Sequence, residues 1–227
     1  MAEQPVTTRG RTTPEALSWQ FILLLVVIAV LIPLIATAFN NVERATRPTP
    51  TPQPVDFSSE AYQSLNDLAL DTTYNDASGI SLNHPASWFV LPLRSGFFVL
   101  SNYEINPAAP EFPEDIVLLQ VQTGPINSFT LPDNTNPESG TSPRALLEVV
   151  TADSPEPIEI VDRPVGQAAG ASIHLEDQDT VRELTLVTPN PDDLIVIETS
   201  AAPGMWPNVN VLLGRIIDSL TYTPPAE

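Results

Sequence analysis

The stretch Gly79-Ile80-Ser81-Leu82-Asn83-His84-Pro85-Ala86-Ser87-Trp88 decides how the rest of the chain is read. Apolar Ile80 and Leu82 alternate with polar Ser81 and Asn83, the two-residue period of a strand with one face buried. Pro85 has no backbone N–H to give to a ladder and stops that strand, and Trp88-Phe89-Val90-Leu91 begins the next. Trp88, just after the proline turn, is read as a core residue.

Downstream, residues 97–100 and 116–123 read as two further strands, separated by the proline-rich loop 106–115 and followed by a second such loop, 124–143. Ser142 before Pro143 is a helix-start signal, and Ala145, Leu146, Val149 and Val150 supply an apolar stripe for a helix lying on a sheet face. Residues 167–175, 180–188 and 194–199 then form a meander of three strands, with turns at 176–179 and 189–193. Pro207 opens a last helix with Val209, Leu212, Leu213, Ile216, Ile217 and Leu220 on one face. Upstream, Ser58 and Ser59 are caps for a short helix reaching about Ala69, with Tyr62, Leu65 and Leu68 on its docking side. Strands in series with few, late helices define an α+β domain built on an antiparallel β-sheet flanked by helices.

Ahead of this domain, residues 21–39 carry no charge. As a helix they would extend roughly 28 Å, close to the ~30 Å hydrocarbon core of a bilayer. The expected organisation is a short cytoplasmic tail at 1–16, a transmembrane signal-anchor helix at 17–39, a Pro/Thr-rich stalk at 40–57 and an extracytoplasmic domain at 58–227. The alternative is a signal peptide, with residues 21–32 as its core, Pro33 as breaker and cleavage after Ala38, which would release a secreted chain. Arg9 and Arg11 on one side roughly balance Arg44 and Arg47 on the other, so the positive-inside rule sets no orientation. The outward placement rests on the size of the C-terminal part, which alone is long enough to fold. Alternate prolines at 48, 50, 52 and 54 favour polyproline II and make the stalk a stiff spacer.

The chain has neither lysine nor cysteine. From residue 55 onward 25 Asp plus Glu face five Arg, a net −20, which repels nucleic acid and anionic headgroups. Disulfides, a thiol nucleophile, a cysteine-ligated metal and a lipidated cysteine are all excluded.

The segment 79–88 resembles the opening hairpin of PsbP-like domains, in which an alternating strand ends at an aromatic residue, a proline, two variable residues and Trp. Residues 216–222, Ile-Ile-Asp-Ser-Leu-Thr-Tyr, resemble that family's closing helix, which ends in Ser before a short strand, and 166–171 with the following strands match its middle. The resemblance covers about residues 72–224. It implies an α/β/α sandwich, shared with the Ran-binding Mog protein and bacterial exported lipoproteins, and a binding or accessory role. It carries over no catalytic or ligand residue, since the family has no general catalytic motif.

Only two histidines, His84 and His174, are available for acid–base work. Ser81 near His84 lacks the Gly-x-Ser-x-Gly turn of a nucleophile elbow. Carboxylates gather at Glu176, Asp177, Asp179 and Glu183, at Asp192 and Asp193, and at Glu111, Glu114 and Asp115, without the spacing of a calcium loop. Trp206, ahead of the last helix, is read as closing that helix on the sheet rather than as an exposed partner contact. No catalytic, cofactor-binding or metal-ligating residue is therefore assigned and no cofactor is expected.

The expected function is a membrane-anchored, non-catalytic accessory domain binding another envelope protein. The alternatives are a cation- or solute-binding module using the acidic turns and, more weakly, a carbohydrate-acting enzyme. Carbonate extraction of native membranes checks the anchor. The full-length chain stays in the pellet if 17–39 spans the bilayer, and a soluble chain beginning at Phe39 identifies a cleaved signal instead.

Overall fold

The computed structural model describes residue 57 and residues 60–106, 112–132 and 134–224, all within one unit spanning Val55–Glu227. The expected membrane span and stalk lie outside the described residues. Among the described residues, no helix is long and apolar enough to cross a membrane.

A pair of central strands organises the domain. β5 (Val117–Pro125) and β9 (Asp193–Ala201) pair antiparallel along nine residues each, from Val117 opposite Ala201 to Pro125 opposite Asp193. Around them the larger sheet has seven antiparallel strands in the order β3-β4-β5-β9-β8-β7-β6: β3 Phe89–Arg94, β4 Phe97–Ser101, β6 Ile160–Asp162, β7 Ala169–Glu176 and β8 Val181–Asn190. A second sheet of three strands joins β1 (Thr72–Asn75), β2 (Ile80–His84) and β10 (Thr221–Tyr222). The single sheet expected from the sequence is thus two. The opening hairpin that the resemblance implies is not formed, since β2 pairs with β1 and β10 while β3 pairs with β4 in the other sheet. β10 lies where the resemblance implies a short closing strand, and β1 (Thr-Thr-Tyr-Asn) is unmarked in the sequence because it lacks an aliphatic alternation.

Consecutive residues of the large sheet enter different cores, as a pleated strand requires. Phe98, Leu100, Val117, Leu119, Val121, Val187, Ile195 and Ile197 join Ile80 and Leu82 of β2 in one cluster. Val209, Leu212, Leu213, Ile216 and Ile217 of α3 (Trp206–Asp218) complete it. Their neighbours Ala171, Ile173, Leu186 and Leu194 pack instead with Leu146 and Leu147 of α2 (Pro143–Thr151). Since Leu186 and Val187, or Leu194 and Ile195, face opposite ways, α3 and α2 lie on opposite faces, the layering of a sandwich.

The two motifs at the ends of the domain meet in space. Thr221 and Tyr222 pair with Ser81 and Ile80, and the Ser219 hydroxyl accepts Asn83 N at 2.9 Å. In the middle motif Gly170 leaves no room for a side chain: a Cβ there would stand 2.1 Å from Arg163 O.

Three expectations need correction. The helix expected to reach Ala69 is only α1 (Glu60–Gln63), followed by a 3-10 turn at Leu65–Asp67; Ser58 and Ser59 lie outside the described residues. Its continuation is lost because Asn66 turns to α3, accepting from Val211 N and Leu212 N at 3.1 Å each and donating to Pro207 O at 3.0 Å. α2 has the expected Ser142 cap, which accepts from Ala145 N. It buries Pro143, Leu146 and Leu147 rather than the whole predicted stripe, leaving Val150 36% exposed, because the i, i+3, i+4 face here starts at the proline. The 124–143 loop begins later than expected, since β5 runs to Pro125 and a 3-10 turn at Ile126–Ser128 buries Ile126.

Asp76 joins the two sheets. Its Oδ2 accepts Ser78 N and Gly96 N at 2.8 Å each, and its Oδ1 accepts the Tyr74 hydroxyl at 3.3 Å. Burial alone would raise this carboxyl, and the hydrogen bonds from Ser78, Gly96 and Tyr74 outweigh it, so its pKa lies below the ordinary 3.8. A depressed folded value means that the stabilisation is complete above the unfolded pKa and is lost as pH falls through the folded one. Asp76→Asn is expected to lower unfolding stability by about 1 to 2 kcal/mol at neutral pH. In urea titrations the gap between variant and wild type should close as pH drops below 3.8.

Candidate interaction surface

The two faces of the large sheet are covered unequally. On the α3 side, Phe98, Leu100, Val117, Val121 and Ile195 of β4, β5 and β9 are each 0% exposed. On the other side α2 lies over β6, β7 and β8, and no described element covers β3, β4 and the facing part of β5. There Phe89, Leu91, Phe97, Val99 and Leu118 remain half-buried or exposed, and on β4 and β5 they alternate with residues of the dry core. β3 is an edge strand, with Phe89 45% and Leu93 48% exposed. Pro92 and the register shift between Pro92 and Arg94 blunt that edge against further strand pairing.

Across β5 and β9 the same face turns polar. Gln120 pairs with Glu198, Leu118 with Ser200 and Gln122 with Val196. Side chains from 101–105 border the apolar end, where Phe89, Leu91, Ser101, Tyr103, Glu104 and Ile105 line a cleft of about 150 Å³.

At this border two phenols share one carboxylate oxygen. Tyr62 and Tyr103 donate to Asp115 Oδ2 at 2.8 and 2.5 Å, while Asn102 donates to Asp115 O and accepts Val117 N. The bond to Asp115, then burial, then the carboxylate charge push Tyr103 up to about 12. The bond to Asp115 likewise raises Tyr62. The cluster ties the start of β5 to the N-terminal segment, whose Phe57 ring sits 5.5 Å from that of Tyr62.

The residues singled out in the sequence have other surroundings. His84 is buried, with Nδ1 2.9 Å from Pro85 O, and Ser81 lies on the opposite face of β2 from it, so this pair cannot act as nucleophile and base. His174 is exposed, opposite Glu183, and its ring stacks at 5.5 Å on Trp206. Trp206 is half-buried against the α3-side core, as the closing role requires, and Trp88 is in that core at 5% exposure.

The acidic groups are spread among structural tasks. Asp177 Oδ1 accepts Asp179 N and Thr180 N within its own turn. Glu183 faces α3, where it pairs with Arg163, whose Nη2 also approaches Gly214 O at 3.5 Å and Asp218 at 3.7 Å. Asp192 accepts from Ser139, and Asp193 accepts from Asn190 and Tyr222 at 2.8 Å each. Glu114 is exposed and Glu111 lies outside the described residues. Among the described residues no group of three or more His, Asp or Glu is placed to hold a metal ion. The open face was missed in the sequence because Phe89, Leu91, Phe97 and Val99 look like ordinary core-strand residues. Only the register shows that α2 does not reach them.

No protein-family model and no curated protein matches the chain. Among solved structures it is similar to one from Bacteroides thetaiotaomicron (13% identity, TM-score 0.42, over 70% of this chain), of whose length it spans about half, at 51%. It is also similar to cyanobacterial PsbP (CyanoP) of a Synechocystis, with 14% identity and TM-score 0.40 over 67% of this chain and 92% of that one. Similarity to the Ran-binding protein Mog1p of Saccharomyces cerevisiae is of the same order: 10% identity and TM-score 0.40, over 66% and 94% of the two chains. The PsbP-like resemblance read from the sequence thus has a PsbP and Mog1p among its structural counterparts. At these scores no activity or partner passes to this chain.

The tyrosine network gives a measurable alkaline signature. Tyr222, raised by burial and then by its bond to Asp193, also lies at about 12. Folded values above the unfolded 10 mean that the stability from these phenols is intact below pH 10 and lost as pH rises through about 12. In ultraviolet titration of the native protein, Tyr103→Phe is expected to remove one of the two phenols ionising near 12.

Proposed function

We propose that this protein is a membrane-anchored, extracytoplasmic, non-catalytic accessory domain that binds another protein of the cell envelope. The observation that carries this reading is the apolar half of the sheet face that no described element covers. Of the seven large hydrophobic residues exposed among those described, Phe89, Leu93 and Tyr103 belong to β3 and the chain leaving β4, and Phe112 to the approach to β5. Apolar side chains concentrated at one place on an acidic domain mark a contact surface, whereas singly scattered ones need no explanation. The anchor at 17–39 and the polyproline stalk, both read from the sequence, would tether the domain to the bilayer through a stiff spacer. The strong negative charge argues against lipid headgroups and nucleic acid as the target.

The test is a pull-down of the full-length, tagged protein after crosslinking in its native membrane, with Phe89→Asp and Leu93→Asp as surface variants. Both residues are about half exposed, so melting temperature is expected to stay near wild type while recovery of the stoichiometric partner is lost. Val211→Asp, at an exposed position of α3, should leave recovery unchanged. Unaltered recovery in both β3 variants would refute this surface as the binding site.

A further inference from the structure

The open half of the sheet has a shape and a charge pattern that define what fits it, and this inference rests on the protein-binding reading above. From β3 to β9 four strands at 4.7–4.9 Å spacing give a strip about 14 Å wide, room for one α-helix of ~10–12 Å diameter. α2 already supplies the helical layer over the other half of the same face. A second helix beside it would complete the layer at the ~10 Å depth of an ordinary packed element.

The strip is two-toned. Over β3 and β4 it presents Phe89, Leu91, Phe97 and Val99, with Leu118 beside them on β5. Over β5 and β9 it presents Gln120, Gln122 and Glu198. Glu198 is half-buried in the floor of the face between Gln120 and Leu184, and among the described residues it makes neither hydrogen bond nor ion pair. Arg182, one pair further along β8 and exposed, does not reach it. A helix laid over this face would take the carboxylate further out of water, so a cation on that helix opposite it would be favoured over an apolar or acidic residue. The rest of the domain adds to the attraction. Its net charge from residue 55 onward is −20, and three of its five arginines are already engaged within the domain, by Asp162, by Glu183 and by the carbonyls of Asn66 and Leu68.

We propose that this strip takes one amphipathic α-helix of the envelope partner, apolar where it meets β3 and β4 and carrying lysine or arginine opposite Glu198. Apolar anchors recurring at i, i+3 or i+4 and i+7 would seat on Phe89, Leu91 and Val99. A basic residue on the adjoining flank would reach Glu198, and the free amides of Gln120 and Gln122 would bond its polar neighbours. The charge pairing sets which helix binds and in which direction, since an acidic flank would meet an unpaired carboxylate.

The test places the photoreactive residue p-benzoylphenylalanine at Val99 or at Gln120 in the full-length protein, irradiates native membranes and sequences the crosslinked partner peptide by mass spectrometry. The expected result is one segment with helical apolar spacing and a basic flank. Crosslink yield should drop about tenfold with Glu198→Lys and in the same direction with the isosteric Glu198→Gln. Circular dichroism melting of both Glu198 variants, expected near wild type, separates loss of contact from loss of fold. Adducts to an extended or acidic segment, or yields indifferent to Glu198→Lys, overturn the helix while leaving a protein-binding face standing. Adducts to lipid alone, or none at either position, overturn the helix and the protein-binding reading together.

Discussion

The nine-residue ladder between β5 and β9 is the constraint on which the rest depends. Side chains alternate with a period of two, so its register decides in one stroke which residues face α3 and which face α2. A slip of one residue would carry Val117, Leu119, Val121, Ile195 and Ile197 out of the dry core and put Gln120 and Glu198 into it. Packing α3 and the small sheet against one face satisfies the first set. Among the described residues no element covers the opposite face from β3 to β5, because α2 is nine residues long and stays over β6 to β8. The open apolar face is therefore a consequence of register combined with a short helix.

The scarcity of cations gives those few arginines defined tasks. Arg163 gathers Glu183, Asp218 and Gly214 O under α3. Arg215 holds the carbonyls of Asn66 and Leu68 at 3.0 and 3.1 Å, and Asn208 holds that of Phe57 at 2.8 Å. With Asn66 seated in the backbone of α3, these bonds fasten the N-terminal segment along that helix, so the point where the stalk reading ends is tied into the core. Gly204 is needed there for close approach, since a Cβ would stand 2.6 Å from the Phe57 ring. The charged surface that remains is mostly acidic, which favours basic over acidic or anionic contacts.

Much of this architecture was legible in the residues. The alternation at 80–84, the meander from 167 to 199 and the apolar face of the last helix all appear where their periodicity placed them, because each buries a full face and the pattern is dictated by that burial. What was not legible depends on partners distant in sequence. β1 is a strand only because β2 pairs with it, β6 is three residues between prolines, and the helix after Tyr62 is cut short by a contact of Asn66 with a segment 145 residues away. The same holds for the surface. Glu176, Asp177, Asp179 and Glu183 read as one acidic cluster, yet Glu183 turns to the α3 face, while Glu198, ordinary in the sequence, stands unpaired on the open one.

The central claim, that the β3–β4 half of the sheet face is covered by a partner in the native envelope, is tested most directly by hydroxyl-radical footprinting of the full-length protein in its own membrane and after purification. The account predicts that oxidation of Phe89, Leu93 and Tyr103 falls several-fold in the membrane relative to the purified protein, while the exposed Val161 of β6 and Val211 of α3 are labelled equally in both. Equal labelling of Phe89, Leu93 and Tyr103 in the two preparations would contradict it.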